Sequence, residues 1–149
     1  MEHRRIKPMK KTLQLADFNQ DQMHDEIIHE ISVENGCLVL RFNELHFPHG
    51  GTFSKAKIVF SGFEDILYDV RFNFFAWNKR LRIKHGTKRY LYEMLEELGK
   101  KKKTFEVINT YFAYKTVLIF GECKDNSTGK TEEFVLEIDA DEISYMFFE

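Results

Sequence analysis

The chain has 149 residues and a net charge of −2, with 43% hydrophobic and 15% aromatic residues. This composition excludes a wholly disordered chain, and so small a charge gives no overall field that favours nucleic acid or an acidic partner. No run approaches the roughly 18 apolar residues of a membrane span, and no N-terminal segment resembles a signal peptide. We therefore expect one cytoplasmic domain without contact to a membrane.

The first segment, residues 1–12, is basic and has little hydrophobic periodicity. Solvated termini of this kind are commonly flexible. The sequence therefore predicts a flexible basic tail over 1–12, followed by a single mostly-β domain over 13–149.

The clearest structural signal is Asn35-Gly36, which stands between alternating apolar runs at Ile27–Val33 and Leu38–Phe42. Both central residues of such a tight turn need positive φ, so this pair predicts a β-hairpin. The turn also fixes the register, because one face of each strand must be apolar. The predicted facing pairs are Val33–Leu38, Ser32–Val39, Ile31–Leu40, Glu30–Arg41 and His29–Phe42.

Further alternating segments predict most of the remaining strands. A polar turn at 125–129 separates two of them, and residues around Leu81 and Ile83 form a short, charged edge strand. The predicted strands are 56 to about 62, 66–74, the edge strand near 81–83, 105–108, 111–120 and 134–138. Residues 143–148 form either a last strand or a segment packed against the core.

One segment has the apolar period of a helix, with Leu91, Met94, Leu95 and Leu98 at positions i, i+3, i+4 and i+7. Thr87 is the expected N-cap, and we predict one main helix over 87–98. The predicted fold is α+β and mostly β. An antiparallel sheet curls into a barrel or sandwich, and this helix covers one face or end.

A cluster of polar residues is predicted at the open end of the first hairpin. If the strands stay in register past Phe42, Asp25 faces His46, and the cluster comprises His24, Asp25, His29, Glu44 and His46, with His49 nearby. Such groups could hold a metal or carry out acid–base chemistry. Their spacing matches no metal or catalytic motif, so we favour a structural role and predict no cofactor, metal ligand or catalytic residue.

A second constellation lies between Asp69 and Glu93, where the chain has no acidic residue. Cations beside aromatic rings are typical of single-stranded nucleic-acid binding, although acidic blocks elsewhere could also pair with these cations. The candidate binding residues are Arg71, Trp77, Lys79, Arg80, Arg82 and Lys84, within a basic-aromatic stretch over 71–90.

The segment His24-Asp25-Glu26-Ile27-Ile28, running into the hairpin, resembles the opening of small β-rich bacterial proteins. Some of these are similar to immunity proteins of polymorphic-toxin systems, and the resemblance spans Phe18 to Leu40. It implies a stoichiometric binding protein rather than an enzyme, and it carries over no catalytic residue.

Three functions follow in order of preference. The first is a non-enzymatic bacterial protein that binds another protein, as a toxin-immunity-like factor does. The second is a nucleic-acid-binding module that uses the stretch 71–90. The third is a metal-dependent hydrolase that uses His24, Asp25, His46 and His49. Exposed strand edges would also permit a homodimer.

Overall fold

The fold is known from a computed structural model, which describes residues 9–14, 26–46, 52–100, 103–113 and 115–147. In chain order the described elements are β1 (Met9–Gln14), β2 (Ile27–Glu34), β3 (Cys37–His46), β4 (Thr52–Ser61), α1 (Ile66–Asp69), β5 (Val70–Asn78), β6 (Ile83–Tyr90), α2 (Leu91–Lys100), β7 (Lys103–Ala113), β8 (Thr116–Asp125), β9 (Thr131–Asp139) and β10 (Glu142–Phe147).

All the described strands belong to one antiparallel sheet, in the order β1-β10-β4-β3-β2-β7-β8-β9-β5-β6. Among the described residues its narrowest link is between β2 and β7, where Ile27 pairs with Glu106 and Ile28 with Phe105. We call the five strands from β1 to β2 in this order the first half, and those from β7 to β6 the second half. Buried residues of both halves form one core, so the sheet curls around a shared interior. Because β1 and β6 do not pair within the described residues, the curled sheet is not a closed barrel.

The single ten-stranded sheet confirms the predicted mostly-β fold, and large aromatic rings fill its interior. Phe72, Phe105 and Phe134 are all buried, and the rings of Phe105 and Phe134 meet edge to face at 5.1 Å. Helix α2 buries Leu91 and Met94 against the core. Such burial stabilises a chain by roughly 1.5–3 kcal/mol for each large apolar side chain.

The first hairpin has the predicted turn, since both Asn35 (φ 51°) and Gly36 (φ 73°) have left-handed backbone conformations. The first four pairs of the predicted register are also confirmed. The fifth is wrong: a β-bulge between Ile28 and Glu30 pairs Ile28, rather than His29, with Phe42. Ile28 is buried and His29 is exposed, because the bulge turns the apolar side chain inward.

The main helix begins at Leu91 rather than at Thr87. Thr87 lies in β6 and faces Phe74 of β5. Pairing with β5 therefore extends β6 up to Tyr90, the residue before the helix. The predicted apolar face of the helix is correct, since Leu95 and Leu98 also pack against the core. Cross-strand pairing has overridden a local capping signal.

Two neighbouring boundaries also differ from the prediction. Ile66–Asp69 forms the short helix α1 instead of the start of a strand, because the side chain of Asp65 accepts a hydrogen bond from the amide of Leu67 and caps the turn. The charged edge strand is confirmed as β6, but Leu81 lies in the turn that precedes it. The edge strand is therefore longer than predicted, and the turn before it is basic.

Strand β7 runs without interruption through residues 109–110, where the sequence predicts a break between two strands. A bulge at Ile108 shifts its register instead, and the chain reverses near Lys115. The polar turn before β9 and the last strand β10 are confirmed.

The N-terminal segment differs from the predicted tail. Met9–Gln14 forms β1 and pairs along its whole length with β10. Residues 9–12 therefore belong to the sheet, and residues 1–8 lie outside the described residues.

Candidate protein-binding surface

Arg71, the first of the predicted binding residues, forms ion pairs with two carboxylates on β9. Its Nε lies 3.0 Å from Oε2 of Glu137, and its Nη2 lies 2.7 Å from Oδ2 of Asp139. The Arg71 side chain is only 16% exposed. The hydrogen bond to Glu137, followed by that to Asp139, raises the pKa of the guanidinium. Arg71 therefore joins β5 to β9 and is not an accessible cation for a ligand.

The other predicted cations divide between an ion pair and an exposed turn. Lys84 binds Glu133, with Nζ and Oε2 2.7 Å apart. Lys79, Arg80 and Arg82 lie together in the exposed turn between β5 and β6. The backbone of Trp77 lies on β5, and its side chain is outside the described part of the structure. Of the predicted nucleic-acid-binding residues in the described structure, only those of this turn still form an exposed basic site.

Most of the polar cluster predicted at the first hairpin lies outside the described part of the structure. His24, Asp25 and His49 lie outside the described residues. His29 is exposed at the bulge, and Glu44 and His46 lie on β3 opposite β4, with side chains that are not described. The pairing of Asp25 with His46 requires an unbroken register, and the bulge between Ile28 and Glu30 breaks it. The metal-dependent alternative therefore stays a prediction without geometric support.

A groove lies on the outer face of the second half, which we define as the face directed away from the core. Its apolar walls are Phe75 on β5, Val135 on β9, Phe120 on β8 and Ile108 on β7, and its volume is about 420 Å³. We call it the outer groove. Tyr111 extends the apolar surface, with its ring edge-on to Phe120 at 5.3 Å.

The bulge in β7 explains why an isoleucine lines this groove. Ile108 is the extra residue between two paired positions, and its side chain is 39% exposed. Gly121, opposite the bulge, lets the two backbones approach, because a Cβ there would lie 1.8 Å from the carbonyl oxygen of Glu106. Bulges commonly redirect a side chain in this way at functional surfaces. The groove therefore depends on Gly121 as well as on its apolar walls.

Beside the groove, three glutamates form one row across three strands. Glu106 of β7 faces Glu122 of β8, and Glu122 faces Glu133 of β9. All three are exposed, and we call them the glutamate ladder. Adjacent strands are only about 4.8 Å apart, and like charges directly opposite each other destabilise a sheet.

Only one member of the glutamate ladder has a cation. Lys84 binds Glu133, whereas neither Glu106 nor Glu122 forms an ion pair with any residue of the described ranges. Lys124 lies two residues beyond Glu122 on the same strand and makes no such pair. Two carboxylates therefore remain unneutralised next to an apolar groove.

A second cavity, of about 370 Å³, opens on the inner face near α2. Glu97 of the helix binds both Arg89 and Lys103, the latter at 2.8 Å. Cys123 also lines this cavity, and burial raises the pKa of its thiol to about 11. The thiol is therefore protonated at neutral pH and is a poor nucleophile. Because Arg89 lies on β6 and Lys103 on β7, their ion pairs with Glu97 hold α2 against the sheet.

Within the described residues, no three histidine, cysteine, aspartate or glutamate side chains are placed to hold a metal ion. The carboxylates of the glutamate ladder therefore lie in a row without converging on a common point. Neither described helix has the length and apolar composition needed to cross a membrane.

Comparisons with known proteins find no matching protein-family model, no similar curated protein and no similar solved structure.

Neither the outer groove nor the glutamate ladder was found by the sequence reasoning. Glu106, Glu122 and Glu133 are far apart in the chain, and only the strand register brings them side by side. One signal was present, because Glu122 and Glu133 flank the predicted turn at 125–129 and lie close to facing positions of that hairpin. The contribution of Glu106 could not be found, because it depends on the bulge at Ile108.

Proposed function

We propose that this chain is a non-enzymatic protein-binding protein that contacts its partner through the outer groove and the glutamate ladder. The observation that carries the proposal is an apolar groove on an exposed sheet face, bordered by charged residues. Protein interfaces commonly have this arrangement of an apolar centre and a polar rim.

A toxin-immunity-like factor is the form of this function that the sequence favours. The resemblance of the His24-Asp25 opening to immunity proteins supports it, as does an interaction surface built from fixed strands. Arg71 joins β5 to β9 through its ion pairs with Glu137 and Asp139, and this cross-strand link also supports a rigid binding face. Rigid faces lose little entropy on association.

The test is affinity capture from the organism that encodes the protein, with the wild-type chain and two charged variants. Ile108→Asp places a carboxylate in the outer groove. Leu67→Asp is the matched control, because Leu67 is a similarly exposed apolar residue on α1 and does not line the groove.

We expect one protein to be captured in near-equal amount by the wild type and by Leu67→Asp, and to be lost with Ile108→Asp. Unchanged capture by Ile108→Asp would refute the groove as the binding site. If the wild type captures no protein in near-equal amount, the protein-binding function itself is wrong. Circular dichroism of both variants verifies that each is folded.

Nucleic-acid binding is the second candidate, supported by the exposed turn that carries Lys79, Arg80 and Arg82. Replacement of all three residues by alanine should weaken oligonucleotide binding and flatten its dependence on salt. A wild-type protein that gives no salt-sensitive shift with single- or double-stranded probes at low salt would exclude this function.

A further inference from the structure

We infer that the segment of the partner that contacts this surface is extended and basic, with an apolar anchor. In this arrangement a lysine or arginine of the partner lies over Glu106 and Glu122, and a neighbouring apolar side chain enters the outer groove. The inference rests on the proposed protein-binding function and adds the chemistry of the partner.

Arginine neutralises two clusters of carboxylates on the strands of this sheet. On β2 and β3, Arg41 binds Glu34 at 2.8 Å and also lies 3.6 Å from Glu30. The hydrogen bond from Arg41 lowers the pKa of Glu34. The Arg71 pairs on β5 and β9 are arranged in the same way. Glu106 and Glu122 differ from these clusters, since each faces another carboxylate across the strands and neither has a cation in the described structure.

The distance between the Glu122 carboxylate and the outer groove also matches an extended peptide. Glu122 and Phe120 are two residues apart on β8, so their side chains share one face about 7 Å apart. An extended peptide that runs along β8 presents its own side chains i and i+2 at the same spacing. A basic residue followed two positions later by an apolar residue therefore matches both features at once.

Other occupants fit less well. A nucleic acid would bring phosphates against the two unpaired carboxylates. A second copy joined through this same face by two-fold symmetry would place one glutamate ladder against the other. A second copy could instead insert its Lys79–Arg82 turn, and concentration-dependent chain growth in sedimentation would then identify that occupant and overturn the inference of a separate partner.

The test uses three capped seven-residue peptides as probes, with threonine at every odd position. The first has lysine, leucine and lysine at its even positions. The second replaces both lysines by glutamate, and the third replaces the leucine by serine. Binding is followed by backbone amide chemical shifts, which also locate each peptide on the sheet.

We expect the lysine–leucine peptide to shift the amides of Glu106, Phe120, Glu122 and Val135, and the other two peptides to bind much more weakly. The double variant Glu106→Gln/Glu122→Gln should weaken binding roughly three- to tenfold, since two exposed ion pairs are lost. The control Glu64→Gln/Glu93→Gln removes the same charge from exposed positions outside this face and should leave binding unchanged.

Equal binding of the glutamate peptide, no binding of the lysine–leucine peptide, or no effect of the double variant would each overturn the inference. These outcomes are separate from failure of the proposed function. A native partner that is lost with Ile108→Asp but is bound with unchanged affinity by Glu106→Gln/Glu122→Gln would support the groove and refute the basic partner.

Discussion

Two clusters of carboxylates on the same outer face differ in whether a cation neutralises them. Around Arg71, the carboxylates of Glu137 and Asp139 converge on one guanidinium that is mostly buried. In the glutamate ladder, Glu106 and Glu122 face each other with no cation among the described residues. The first cluster joins two strands, while the second opposes the pairing of its strands. The difference indicates that the Arg71 cluster contributes to folding, and it supports our proposal that the glutamate ladder serves an external partner.

Gly121→Ala should have the largest effect, because it disrupts the backbone approach on which the position of Glu106 depends. The added Cβ would lie 1.8 Å from the Glu106 carbonyl oxygen, and backbone cannot yield as a side chain can. We expect a loss of about 3 kcal/mol or more in the free energy of unfolding, measured by denaturant titration.

Gly36→Ala is an informative comparison for that variant, since its Cβ would have no heavy atom of the described residues within 4 Å apart from its own residue and chain neighbours. The positive φ of Gly36 alone causes strain there. If Gly121→Ala were no more destabilising than Gly36→Ala, the close approach at the bulge would be wrong.

Arg71→Met should be the next largest effect. It leaves Glu137 and Asp139 without their shared partner on a partly covered face, which costs about 2 kcal/mol for lost hydrogen bonds to charged groups. Lys84→Met is the matched control, because it breaks an ion pair whose members are both more than half exposed. Thermal unfolding should show a loss of at most about 1 kcal/mol for the control, and equal losses would contradict a structural role for Arg71.

Glu122→Gln should have the smallest effect and the opposite sign. Removal of the central charge of the glutamate ladder relieves repulsion from Glu106 and Glu133, so we expect a gain of about 0.2–1 kcal/mol in stability. The gain should shrink at high salt, because exposed charges are screened. Glu64→Gln, at an exposed position away from the ladder, should change the free energy of unfolding little.

Local sequence signals predicted the parts of this fold that are determined locally. The Asn35-Gly36 turn fixed its hairpin until the bulge, and the apolar period of α2 gave its buried face. The start of α2 was misplaced because Thr87 pairs with Phe74, a residue distant in sequence. The same limit applies to the candidate surface, since a bulge inserts one residue and changes which side chains face outward.

The basic-aromatic stretch illustrates this limit most clearly. As a sequence, it presents Arg71 and Lys84 as available cations, and the structure pairs both with carboxylates of β9. Those partners lie 49 to 68 residues away in the chain and could not be assigned without the order β9-β5-β6. Lys79, Arg80 and Arg82 stay exposed in the turn before β6, while the proposed protein-binding surface is defined by acids that the sequence prediction did not include.

The most direct test of the central claim is a joint measurement on Glu106→Gln/Glu122→Gln, with Glu64→Gln/Glu93→Gln as the control of equal charge. Thermal stability and the affinity for the native partner are measured on the same preparations. If the glutamate ladder serves a basic partner, the ladder variant should unfold at a higher temperature than the wild type and should bind the partner roughly three- to tenfold more weakly. The control should keep the wild-type affinity and gain no stability, since Glu93 lies in the first turn of α2, where a negative charge is favourable. An unchanged affinity of a stabilised ladder variant for the partner would contradict the account.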